Sequence, residues 1–154
     1  MDLFHALPRV LEALRQSGVE WALCGGFALA AHGIVRATED IDVIAEEGSL
    51  PRIRDAIARL GFRAHRRVMV FKSGRVRIQR FIKLQPKEGE PLILDVLSVT
   101  EATRPAWETR KPLETGFGAV PVVSRAGLIQ LKSLRASGQD LDDIEQLKRH
   151  EARD

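Results

Sequence analysis

Nine residues constrain this 154-residue chain more than any others. Pro91-Leu-Ile-Leu-Asp-Val-Leu-Ser-Val99 is a nearly continuous apolar run with one carboxylate, Asp95, at its centre. A run of that length bounded by polar residues reads as a buried interior strand. The strand accounts for the apolar residues but not for Asp95, because an unpaired charge in such a place is costly. Whatever fold the chain adopts must bring that carboxylate a partner.

The segments around it read as alternating helices and strands. Leu3, Leu7, Val10, Leu11 and Leu14 recur at helical spacing, with Gly18 as a stop and Pro8 in a first turn or at a kink. VEWALC (19–24) reads as a short strand ended by Gly25-Gly26, and FALAAHG (27–33) as a short helix closed by Gly33. In the strand DIDVIA (40–45), Ile41, Val43 and Ala45 oppose Asp40, Asp42 and Ile44. A helix then runs from Ser49 as N-cap, through Pro51 in the first turn, to Gly61.

Arg67 to Gln85 reads as a hairpin turning at Lys72-Ser73-Gly74. Its second arm sets Val76, Ile78, Ile82 and Leu84 against Arg75, Arg77 and Lys83. Residues 100–111 are expected to be helical and AVPVVS (119–124) a strand. Two helices close the chain, Arg125–Ala136 and Asp140–His150, the second with Leu141, Ile144 and Leu147 on one side. No repeat, low-complexity tract or linker divides the sequence, so residues 1–154 are expected to form one α+β domain.

Composition excludes several classes of function. At 44% hydrophobic residues the chain is not wholly disordered. Its longest nearly uncharged stretch, Trp21 to Val35, falls short of the roughly 20 residues a bilayer needs. The N-terminus lacks the basic start of a signal peptide, and Cys24, the only cysteine, permits no intramolecular disulfide. A reduced cytoplasm is the expected compartment. Net charge is only +3, yet residues 51–90 carry 12 Lys or Arg against Asp55, Glu88 and Glu90. An anionic partner and a solvated basic surface both account for that asymmetry.

Two motifs carry chemistry. Gly25-Gly26 lies between a strand and a helix, where glycine lets backbone N–H groups approach an anion closely, although a tight turn is the plainer reading. It is neither a Walker loop nor a dinucleotide fingerprint, since the further residues those motifs need are missing. In Asp40-Ile41-Asp42 the alternation of a strand puts both carboxylates on one face. Like charges that close repel unless a cation joins them, and magnesium prefers such oxygen ligands. A neighbouring strand carrying Asp95 would complete the set.

These residues together resemble a family. VEWALCGGFALAAHGIVRATEDIDVI resembles the nucleotidyltransferase superfamily of DNA polymerase β type, which has a Gly-Gly or Gly-Ser pair, Asp-x-Asp on the next strand and a third acidic residue later. The nearest likeness is to small bacterial nucleotidyltransferases related to abortive-infection toxins, matched at Gly25, Gly26, His32, Gly33, Arg36, Thr38, Asp40 and Asp42. Leu128, Ile129, Leu131 and Lys132, then Asp140, Asp143 and Ile144, fit two later helices of that pattern. The likeness spans roughly residues 19–147, and family toxins commonly carry further helices after this core.

The resemblance implies a nucleotidyltransferase fold, a mixed β-sheet with flanking helices and a helical C-terminus. It implies Mg2+ or Mn2+ on Asp40, Asp42 and Asp95, with Gly25, Gly26, Arg36, Thr38 and Lys132 holding the phosphates of a nucleoside triphosphate. The expected reaction moves a nucleoside monophosphate to a hydroxyl of a protein, an RNA or a small molecule. An antitoxin protein is the expected partner if the enzyme is a toxin. A catalytically silent nucleotide- or RNA-binding module of the same fold is the alternative, and three intact carboxylates weigh against it.

Other residues have plainer readings beside these. Lys132 either snorkels from the core edge or contacts phosphate, and at least one of Arg36 and Thr38 has a supporting role. Asp140 reads as a helix N-cap, Asp143 as a support for Lys132 or Arg135, His32 as the close of its helix and Cys24 as a small buried hydrophobe.

Overall fold

The apolar run around Asp95 is an interior strand. It forms β6 (Leu92–Ser98), parallel to β2 (Asp40–Ala45) on one side and antiparallel to β5 (Val76–Lys83) on the other. The computed structural model describes residues 2–85 and 89–151, so Lys87 and Glu88 of the basic segment lie outside the described residues. Around that core, β1 (Ala22–Leu23), β3 (Arg63–Ala64), β4 (Met69–Phe71), β7 (Lys111–Thr115) and β8 (Gly118–Val122) complete a mixed sheet in the order β3-β5-β6-β2-β1-β8-β7. Strand β4 pairs with β5 beside β3.

Helices α1 (Leu3–Gln16), α2 (Gly26–Ala31), α3 (Leu50–Ala58), α4 (Arg104–Trp107), α5 (Arg125–Arg135) and α6 (Gly138–Glu151) flank the sheet. The amphipathic stripe of α1 buries Leu7, Val10, Leu11 and Leu14, with Asp2 capping its start and Pro8 inside the helix. Ile41, Val43, Leu94 and Val96 are fully buried in the same core cluster. Gly61, just past α3, packs on the stem of Lys83, and Arg77 pairs with Glu47 at 3.4 Å just ahead of α3. The odd-numbered side of β5 therefore faces the segments that flank α3.

That orientation corrects the reading of the hairpin. Phe81, on the same side as Arg77, is buried, as is Val76 of the expected apolar set, whereas Leu84 is 76% exposed. Arg77 and Lys83 point away from the face that carries the three aspartates, and Arg80 is the basic residue on it. Residues 100–111 also differ from expectation, because α4 is a single turn. The hydroxyl of Thr103 accepts from the Thr100 amide at 2.8 Å, a local side-chain bond that holds a turn where a helix was expected. Strand β7 was not foreseen; it pairs with β8 through a tight turn at Gly116-Phe117.

The last helices depart in detail. Helix α5 stops at Ala136, which adopts the left-handed conformation, and Ser124 caps its start. On α6 the inward positions belong to Asp140, Asp143 and Leu147, while Leu141 is 57% exposed. Asp140 is not the N-cap. Ser137 takes that place, and the two side chains bond each other's amides at 3.1 Å in a capping box. Strand β1 is shorter than residues 19–24, and Ser49 makes no side-chain cap bond at α3.

The register of β5 can be tested directly. Phe81→Ala should cost about 3–5 kcal/mol of unfolding free energy and Leu84→Ala no more than about 0.5 kcal/mol. Urea unfolding of both variants checks this, and comparable losses would mean that the strand presents the other face to the core.

Candidate active site

Pairing of backbone, not side-chain attraction, brings the carboxylates together. Along the parallel β2–β6 ladder Asp42 lies opposite Asp95, and on the next strand Arg80 lies opposite Asp95. Partners in register point to the same face, so Asp42, Asp95 and Arg80 form one row across three strands. Asp40, two residues before Asp42, joins that face. One oxygen from each of Asp40, Asp42 and Asp95 can be chosen so that all three lie within 4.8 Å of one another.

The charge so gathered is only partly balanced. Arg80 donates through Nε to Asp95 Oδ1 at 2.9 Å and through Nη2 to Oδ2 at 3.0 Å, a two-pronged pair. Its Nη2 also lies 3.9 Å from Asp40 Oδ2. Burial, followed by the charges of Asp95 and Asp40, pushes the Asp42 carboxyl up to about 7. Asp40 is raised as well, by burial first and by Asp95 second. The nearby carboxylate of Asp42 adds to burial in raising the Cys24 thiol.

The glycine pair is fitted to these neighbours. A methyl group on Gly25 would overlap the Asp42 carboxylate, and one on Gly26 would overlap the Thr38 hydroxyl. Thr38 in turn donates to the Asp40 carbonyl at 3.3 Å, fixing the entry to β2. The main chain of α2 thus approaches the acidic row as closely as backbone can. His32 caps α2 and contacts the Val123 carbonyl at 2.8 Å, which ties α2 to the start of α5.

A second group of charges stands beside the first. Lys132, only 7% exposed, pairs with Asp143 at 2.8 Å and with Asp140 at 3.9 Å. Arg36 reaches the other Asp143 oxygen at 3.0 Å, and Arg135 pairs with Asp140 at 3.6 Å. Asp143 therefore supports Lys132, one of the two partners expected for it, and also the loop residue Arg36. Residues of both groups, among them Asp42, Asp95, Arg36 and Lys132, line one cavity of about 760 Å³, with Gly25 and Thr38 on its wall. Three cavity residues escape sequence reasoning. In the sequence Arg80 is one of twelve basic residues of a charged segment and Met69-Val70-Phe71 is part of a hairpin arm, yet Arg80, Met69 and Phe71 border the cavity.

The crowding has a pH signature. With its folded pKa above the unfolded value, Asp42 holds a proton in the native state that the unfolded chain lacks between about pH 4 and 7. Stability from this group is thus present at low pH and is lost as pH rises towards 7. In chelator, wild type should lose on the order of 2–4 kcal/mol relative to Asp42→Asn between pH 5 and 8. Parallel pH profiles in urea unfolding would contradict the raised Asp42 carboxyl.

The fold has counterparts among solved structures. The antibiotic-resistance factor ANT(2'')-Ia is 15% identical, with a TM-score of 0.65 over 96% of this chain and 84% of that one. The lincosamide antibiotic adenylyltransferase LnuA is 16% identical, with a TM-score of 0.61 over 95% of this chain and 94% of that one. JHP933 from Helicobacter pylori is 18% identical, with a TM-score of 0.56 over 95% of this chain and 64% of that one. At these identities the likeness establishes the nucleotidyltransferase fold. No curated protein sequence matches the chain. Among the described residues no helix is long and apolar enough to cross a membrane. Residues 9–153 match the family described as "Nucleotidyl transferase AbiEii toxin, Type IV TA system", and the chain belongs to that family of nucleotidyltransferase enzymes.

Proposed function

We propose that the enzyme moves a nucleoside monophosphate from a nucleoside triphosphate to an acceptor hydroxyl, with Mg2+ or Mn2+ at Asp40, Asp42 and Asp95. The convergence of those three carboxylates within 4.8 Å supports this reading best. The donor set fits a hard divalent cation, since it offers only oxygen, and burial together with the charges of Asp95 and Asp40 pushes Asp42 towards protonation. When bound, such an ion supplies positive charge to the attacking and leaving oxygens of an in-line displacement.

The protein's own groups do the rest. Asp95 orients the acceptor hydroxyl and takes its proton as the oxygen attacks the α-phosphorus and the bond to pyrophosphate breaks. Backbone amides at Gly25 and Gly26 hold the departing pyrophosphate. Lys132, Arg36 and Thr38, on the same cavity wall, hold the phosphates. The acceptor is a hydroxyl of a protein, an RNA or a small molecule. Membership of a toxin family makes an antitoxin protein the expected partner. A cytoplasmic location fits that pairing.

Incubation with Mg2+ and each α-labelled nucleoside triphosphate should put label on an acceptor, while γ-label should transfer to none. No transfer from any nucleotide would overturn the reading. Asp42→Ala should weaken both metal-nucleotide binding and transfer. Asp95→Ala should leave triphosphate binding within a few-fold and lower transfer by about 100-fold or more.

Thermal melts give a separate check. Saturating Mg2+ should stabilise wild type by roughly 1–3 kcal/mol and leave Asp42→Asn unmoved. An identical response in both proteins would count against the metal site.

A further inference from the structure

Arg80 stands where a cation belongs. Its guanidinium takes both oxygens of Asp95, at 2.9 and 3.0 Å, and its Nη2 reaches to 3.9 Å from Asp40. Backbone register holds it there, since Arg80 and Asp95 are paired positions of neighbouring strands. Asp95 is only 6% exposed, and the Arg80 guanidinium occupies both of its oxygens. The Arg80 side chain is 31% exposed and borders the cavity, which leaves it room to withdraw. With all three carboxylates ionised, the one guanidinium leaves two negative charges, which one divalent ion balances.

We propose that Arg80 is a built-in cation at Asp95 in the nucleotide-free enzyme. Asp40 and Asp42 then take up a single divalent ion, and the place at Asp95 opens only when Arg80 withdraws. Arg80 is on this view a positioning residue, acting through Asp95. The inference rests on the metal-dependent reading above and says how many ions that site takes before nucleotide arrives.

The test is Mn2+ binding to the nucleotide-free protein, followed by electron paramagnetic resonance, with circular dichroism to verify folding. Wild type should bind one Mn2+ per chain at the site. Arg80→Gln, which exposes the full acidic set, should bind a second Mn2+ or bind the first at least tenfold more tightly. The double variant Arg80→Gln with Asp95→Asn removes a pair that is neutral overall, so it should bind one Mn2+ within fivefold of wild type.

Two Mn2+ in wild type, an unchanged Arg80→Gln, or a double variant weakened more than fivefold would each overturn the proposal. If Arg80→Gln does not fold, wild type and the double variant decide. Folded wild type and double variant that bind no Mn2+ would instead remove the metal site itself.

Discussion

The parallel pairing of β2 with β6 is the constraint on which the rest depends. It sets Asp42 opposite Asp95 by main-chain hydrogen bonding, irrespective of what their charges prefer. The opposite side of the same two strands carries Ile41, Val43, Leu94 and Val96, all fully buried. A slip of one residue in either strand would exchange that apolar row for the acidic one, so burial of one face enforces the crowding of the other. Hydrophobic free energy, spread over the core, thereby holds like charges together in one place. The two-pronged Arg80 pair and the cavity around the row are the structure's response to that crowding.

Much of this was legible because a charge within an apolar pattern is informative. Asp95 stood out in its run, and the alternation of Asp40-Ile41-Asp42 placed two carboxylates on one face. Arg80 carries the same kind of signal. It falls at the site-facing position between Ile78 and Ile82, as Asp95 falls between Ile93 and Leu97, and the two prove to be partners. Reading the arm by its apolar residues passed over it, because Phe81 on the opposite face and exposed Leu84 blurred the alternation. The faces of β5 follow from contacts with the segments flanking α3, at Gly61 and Glu47, which no local pattern encodes.

The closing helices show the same limit differently. Periodicity on α6 gave Leu141, Ile144 and Leu147 as one side, and the structure rotates the helix so that Asp140 and Asp143 face inward with Leu147. Buried carboxylates are tolerated there because cations from elsewhere meet them: Lys132 and Arg135 from α5, and Arg36 from the loop before β2. Removing one partner of such a set strands the other in a poorly solvated place, so the contacts fix α6 and that loop together. Short-range rules foresaw a link between Asp143 and Lys132. They gave no hint of Arg36, which is more than a hundred residues from Asp143.

The two charge groups differ in sign, and their placement has a consequence. The acidic row carries three carboxylates against Arg80, while the neighbouring group sets Arg36, Lys132 and Arg135 against Asp140 and Asp143. One side of the cavity is therefore net negative and the other net positive. Lys132 and Arg135 each pull the Asp42 carboxyl down, yet burial and the other two aspartates outweigh them. Charge separation survives because ion pairs form within each group, Arg80 with Asp95 in one and Lys132 and Arg36 with Asp143 in the other, and because Gly25 and Gly26 keep the wall between α2 and β2 free of side-chain bulk. A ligand matched to that field must itself be divided, with a positive part against the carboxylates and a polyanionic part against Arg36 and Lys132. A divalent metal bound to a triphosphate has that form, and a bare cation or a bare anion satisfies only half of the cavity.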